Sequence, residues 1–206
     1  YLLQTLLIFY IPGCLSILVE SYLFEVTDVW LTLLGLLQGF TNTLFIFIFI
    51  TVSFLKDTPP ERVPVRITRS KLNLIGRILA GISLYVIIYF IAGILLQITF
   101  PELNEFYQGK IPPIDVIVMT QVLRGFLLVL VAIWFVRHSR LSSIKSALLL
   151  GALFSIVGGL SPLLAPNDLM PASIRIAHGV EVCTSNFIYG FCLALLVSPP
   201  KHEVSD

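Results

Sequence analysis

Apolar residues occur in six runs of about 20 residues or more, separated by short polar or proline-marked breaks. A run of this length, folded as an α-helix, matches the hydrocarbon thickness of a bilayer. We therefore predict an all-α fold, a polytopic six-helix transmembrane bundle that forms a single domain over residues 1–206. The predicted spans are 2–22, 29–54, 74–99, 114–136, 144–164 and 172–196.

The composition excludes a water-soluble protein. Apolar residues make up 57% of the chain, charged residues 12%, and the mean hydropathy is +0.95, whereas soluble domains contain about 25% charged residues. The 13 basic and 12 acidic residues almost balance, so the charge does not favour a nucleic-acid partner. Membrane lipids are the expected partners, and a homo-oligomer or a larger membrane complex is also possible.

The positions of the basic residues predict the orientation. Nine of the 13 lie in the second connection, the fourth connection or the C-terminal tail, whereas Lys110 alone lies in a connection on the opposite side. The positive-inside rule therefore predicts that both termini are cytoplasmic. Because the sequence begins at Tyr1 without an initiator Met, we expect that N-terminal sequence is missing.

Three polar residues share a depth in the even-numbered spans, which run in the same direction. Gln38, Arg124 and Glu181 each lie nine or ten residues from the start of their predicted span. At 1.5 Å per residue they lie roughly 13 to 15 Å below the outer boundary, near the middle of the membrane. Ionisable groups at this depth need a partner or a water-filled cavity. We therefore predict a polar centre in which Arg124 pairs with Glu181.

The sixth span presents its polar residues on one face. At about 100° per residue they form a stripe roughly 140° wide, with Ile176, Val180 and Phe187 on the opposite face. Gln121 lies three residues before Arg124, and Asn42 lies four residues after Gln38, so both join the predicted centre. The members of the stripe are Arg175, His178, Glu181, Ser185, Asn186, Tyr189 and Cys192.

The polar centre has two competing interpretations. It can be an interhelical ion pair that fixes helix packing, or it can bind a solute or carry ions or protons. The His178-x-x-Glu181 spacing also suits a metal, but di-iron bundles use two Glu-x-x-His motifs and further Glu residues. This chain offers one pair in reversed order, so we predict no metal and no cofactor. The sequence also lacks the common nucleophile and nucleotide-binding motifs, and no catalytic residue is predicted.

Part of the sequence resembles a family of small bacterial multi-spanning membrane proteins of unassigned function. The resemblance rests on the Arg-x-Ala-His-x-x-Glu run from Arg175 to Glu181, on Ser185-Asn186-Phe187, and on the segment 121–125. It implies a bacterial inner-membrane protein and brings no activity or substrate.

We favour binding or translocation of a small solute or ion as the function. The first alternative is a structural or accessory subunit of a larger membrane complex. The second is a membrane-embedded enzyme acting on a lipid, with His178 and Glu181 as acid and base. Small residues in the third and fifth spans predict close helix contacts, and Pro12-Gly13 predicts a distortion of the first span.

Overall fold

The computed structural model describes residues 2–24, 27–54, 71–109, 111–139, 141–160 and 171–198. Within these ranges the chain is helical and contains no β-strand. Six helical segments are long and apolar enough to cross a membrane. They are Leu3–Leu23, Val29–Phe49, Asn73–Thr99, Ile114–His138, Ser143–Leu160 and Ala172–Val197, called the first to sixth spans below. The predicted all-α bundle of six membrane helices is confirmed.

The helices themselves extend a little beyond several spans. The second helix is Val29–Phe54, and the third is Lys71–Thr99. The basic connection 55–70 and the proline-rich connection 161–170 lie outside the described residues, as do Lys110, Arg140 and Lys201. Of the nine basic residues on the predicted cytoplasmic side, Lys71, Arg137 and Lys145 lie in described helices.

A short helix, Glu102–Tyr107, was not predicted by the hydropathy pattern. It follows the third span after Pro101, and Glu102 and Glu105 lie in its first turn, where carboxylates interact favourably with the helix dipole. Leu103 is buried against Ile174 and Ala177 of the sixth span. The short helix therefore packs against the beginning of the sixth span.

The core lies where the third to sixth spans meet. The fifth and sixth spans make the most extensive contact, which depends on glycine: a β-carbon at Gly190 would lie 2.9 Å from the Leu150 carbonyl oxygen. One at Gly151 would lie 2.9 Å from the Phe187 carbonyl oxygen. The backbones of these two spans thus approach closely, as the small residues of the fifth span predicted. The first two spans lie at the periphery.

Two spans contain π-helical segments that contact each other. Leu6–Leu15 of the first span includes Pro12, which has no backbone N–H to donate to the preceding turn. Ile156–Leu160 ends the described part of the fifth span. A β-carbon at Gly13 would lie 2.8 Å from Val157 Cγ1. The distortion expected at Pro12-Gly13 is therefore present, and its glycine allows the close contact.

Candidate functional site

Arg124 of the fourth span forms an ion pair with Glu20 of the first span through Nη1 and Oε2. Gln121, one turn before Arg124, donates from Nε2 to Glu20 Oε1 at 2.9 Å, and its own Oε1 accepts from Arg124 Nη1 at 3.4 Å. Gln121 is fully buried and Arg124 is 7% exposed. The three side chains therefore form a closed polar triad between the two spans.

The predicted pairing of Arg124 with Glu181 is wrong. The expectation compared α-carbon depths in the even-numbered spans and left Glu20, close to the end of an odd-numbered span, out of the membrane interior. Helical side chains lean toward the N-terminus of their own helix. Since the first and fourth spans run in opposite directions, Arg124 and Glu20 lean toward each other. This tilt and the length of the two side chains bridge the difference in depth.

Glu181 instead has two partners on its own helix. Its Oε2 lies 3.2 Å from His178 Nδ1, and its Oε1 accepts a hydrogen bond from Ser185 Oγ at 3.2 Å. His178 and Glu181 are both half-buried, and Val180 and Ile176 on the opposite face are exposed. The predicted polar face of the sixth span is confirmed. It carries a second polar group, separate from the triad.

The remaining predicted residues are divided between the interior and the surface. Asn186 is buried, and Arg175 is half-buried near the start of the sixth span. Gln38 and Asn42 are both exposed on the second span. Their inclusion in the polar centre was wrong, because equal depth does not determine which way a helix face points.

Aromatic residues border the triad. The guanidinium carbon of Arg124 lies 5.7 Å from the centre of the Tyr85 ring, a cation–π distance. Tyr85 in turn contacts Tyr189 edge to face, with ring centres 4.9 Å apart. Tyr189 is fully buried, and its hydroxyl has no hydrogen-bond partner among the described residues.

A small cavity adjoins Arg124 where the two π-helical segments meet. Its volume is about 10 Å³, close to what one water molecule requires. Arg124 Nε is buried and has no hydrogen-bond partner within the described parts of the chain. The lining residues are Pro12, Ser16, Arg124, Leu128, Phe154, Gly158 and Asn186. The cavity combines a charged donor, an amide and irregular backbone.

The Tyr107 side chain of the short helix lies near both polar groups. Burial raises the pKa of its phenol above the usual 10.0, and the negative charges of Glu20 and Glu181 raise it further. The short helix was missed because its six residues resemble an ordinary polar connection.

No family model, curated protein or solved structure matches the chain. In the described ranges, no group of three or more His, Cys, Asp or Glu side chains is placed to hold a metal ion.

Proposed function

We propose that this membrane protein binds or translocates a small solute or ion at the cavity beside Arg124. One observation carries the proposal: Arg124 Nε is buried without a hydrogen-bond partner among the described residues, and Arg124 lines the cavity. A buried donor that is left unpaired costs free energy, about 1 to 3 kcal/mol and more for a charged group. An occupant that accepts a hydrogen bond from Nε would remove this cost.

The lining residues restrict the chemistry of the occupant. Glu20 neutralises Arg124 on the other side of the guanidinium, so the cavity does not carry a full unbalanced charge. The Asn186 side chain offers both a donor and an acceptor. We infer a small polar solute or a small anion with at least one acceptor atom facing Arg124.

The cavity holds about one water molecule in this conformation, so a larger occupant needs the surrounding helices to move. The two π-helical segments are the natural place for such movement, because π-helical turns occur frequently at functional sites. Transporters likewise place interrupted helices around a binding site near the middle of the membrane. Pro12 and Gly158 both belong to such segments and both line the cavity.

The second candidate function is a structural subunit of a larger membrane complex. The closed hydrogen bonding among Glu20, Gln121 and Arg124 favours this alternative, since interhelical polar groups often stabilise helix packing in membranes. A third hypothesis is a lipid-modifying enzyme with His178 and Glu181 as acid and base. It rests on the 3.2 Å distance between His178 Nδ1 and Glu181 Oε2.

We also propose that the protein resides in a bacterial inner membrane with both termini in the cytoplasm. The distribution of basic residues supports the orientation: nine lie on one predicted side and Lys110 alone lies in a connection on the other. The bacterial origin rests on the resemblance carried by the segment from Arg175 to Glu181.

Filling the cavity with a single methyl group tests the proposed function. In Gly158→Ala the new β-carbon would lie 3.4 Å from the Pro12 carbonyl oxygen and 3.8 Å from Asn186 Nδ2, which are ordinary contacts. The matched control is Gly93→Ala, whose β-carbon would meet no atom within 4 Å. Both variants make the same chemical change in a membrane span, but only the first reduces the cavity.

The assay uses purified protein in lipid vesicles and four small anions as probes: chloride, nitrate, formate and acetate. We expect at least one probe to raise the melting temperature or to cross the vesicle membrane. Gly158→Ala should abolish this effect and Gly93→Ala should retain it. Arg124→Lys keeps a positive charge near Glu20 but removes Nε, and it should also weaken the effect. Absence of any probe effect would contradict an anion site, and an equal probe effect in the Gly158→Ala protein would contradict binding at this cavity and favour the structural role.

A further inference from the structure

The second span exposes two side-chain amides in the middle of an otherwise apolar surface. Gln38 and Asn42 are one helical turn apart, and neither side chain forms a hydrogen bond with a described residue. Gln38 lies nine residues after Val29, about 13 Å along the helix and therefore near the middle of a bilayer core. Lipid chains offer no hydrogen bonds, so amides at this depth require a protein partner.

Gln38 points away from the chain's own bundle. Gly35 and Gly39, on a neighbouring face of the same helix, contact Leu18 and Cys14 of the first span. Gln38 lies about a quarter turn from Gly39. In the most apolar stretch of the second span, 11% of the residues are buried, against 44% in the fourth span. Among the described residues, few side chains of the second span are covered, which leaves its Gln38 side open to another molecule.

The exposed face has the heptad spacing of a helix that packs against an identical helix. Leu31, Gln38, Phe45 and Val52 follow one another at intervals of seven residues, and all are exposed. Leu34, three residues after Leu31, lies beside this row and is also exposed. With Leu34 and Ile48 exposed at the intervening d positions, the row supplies the a positions of a left-handed helix pair, in which one polar residue fixes the register.

We propose that the second span forms a symmetric dimer interface with a second copy of this chain. An amide both donates and accepts, so a two-fold axis along the membrane normal would bring each Gln38 against its equivalent and satisfy both. Asn42, one turn further along, lies at the edge of the seam, between Gln38 and the face that packs on the first span. The seam carries no charged side chain, so a second copy complements it better than a charged partner helix does. The proposal is independent of the proposed function.

Two adjacent leucines provide a matched crosslinking test. Leu34 lies beside the seam and is 46% exposed, whereas Leu33 is 52% exposed but lies about 140° round the helix from Gln38. Each is replaced by cysteine in full-length protein whose native cysteines are changed to alanine, and a short membrane-permeable bis-maleimide is added in vesicles. We expect Leu34→Cys to give a covalent dimer and Leu33→Cys to remain monomeric. Equal crosslinking of the two variants would overturn the interface.

The amides are tested by their removal. The double variant Gln38→Leu/Asn42→Leu should raise the dissociation constant of the dimer about tenfold. The constant is measured by fluorescence energy transfer between labelled copies as the lipid-to-protein ratio is increased. Gln97→Leu is the control, because Gln97 is exposed but lies two residues from the end of the third helix, within reach of water. A protein that is monomeric at every lipid ratio, or a double variant that dimerises as well as the unchanged protein, would refute the proposal.

Discussion

Arg124 and Glu20 connect the fourth and first spans through an ion pair whose side chains are 8% and 20% exposed, respectively. The two residues are separated by 104 positions in the sequence. Gln121 completes the hydrogen bonding of both, so the first span is joined to the bundle by a polar contact as well as by packing.

Removing one partner of this pair should destabilise the protein strongly. Glu20→Gln or Arg124→Gln leaves one buried charge without compensation, which costs about 3 to 5 kcal/mol for buried pairs in soluble proteins. The double variant Glu20→Gln/Arg124→Gln should recover much of the loss because both charges are gone. The measurement is the free energy of unfolding in mixed micelles for the complete double-mutant cycle.

Glu181→Gln is the matched control for this cycle. Glu181 contacts His178 and Ser185 of its own helix. The loss of unfolding free energy in the Arg124→Gln/Glu181→Gln double variant should therefore equal the sum of the two single losses within about 0.5 kcal/mol. Strong coupling between Arg124 and Glu181, with additive losses for Glu20, would mean that the ion pair described here does not form in the membrane.

Tyr189→Phe should leave stability unchanged or raise it by about 1 kcal/mol. The Tyr189 hydroxyl is buried and has no hydrogen-bond partner among the described residues, so its removal abolishes a desolvation cost. Tyr189→Ala should lose about 3 to 5 kcal/mol, because its ring packs against Tyr85 and Phe154. Thermal unfolding in detergent distinguishes the two changes. Destabilisation of the Phe variant by more than 1 kcal/mol would indicate a hydrogen-bonded partner, such as a buried water.

The sequence predicted the membrane helices well and their mutual orientation less well. Hydropathy finds spans reliably because each helix satisfies its own backbone hydrogen bonds in lipid. The helical spacing of polar residues predicted the buried face of the sixth span correctly, because that helix carries enough polar residues to define a face. The second span offers two side-chain amides, Gln38 and Asn42, and both are exposed instead of facing the bundle interior.

The identity of the partner of Arg124 could not be derived from depth alone. Glu20 lies three residues from the end of the first span, and the comparison of depths covered the even-numbered spans alone. The direction in which helical side chains lean was the missing signal. Applied to antiparallel spans, it would have brought Glu20 within reach of Arg124.

Gly190→Ala should destabilise the contact between the fifth and sixth spans. The added β-carbon would lie 2.9 Å from the Leu150 carbonyl oxygen and 3.0 Å from Gly151 Cα, both of them backbone atoms that cannot move alone. Overpacking of this kind costs about 1 to 3 kcal/mol. Gly93→Ala, which meets open space, should be neutral or stabilising because alanine favours helix. Equal unfolding free energies for the two variants would contradict the close backbone approach.

Cysteine labelling tests the orientation across the membrane. Glu102 and His138 are exposed and flank the fourth span, so they should lie on opposite sides of the bilayer. In a background without native cysteines, we expect an impermeant maleimide to label Glu102→Cys in intact cells and His138→Cys after permeabilisation alone. This follows because the basic residues near His138 favour the cytoplasm. The opposite pattern would reverse the predicted orientation, and labelling of both in intact cells would show that the fourth helix does not cross the membrane.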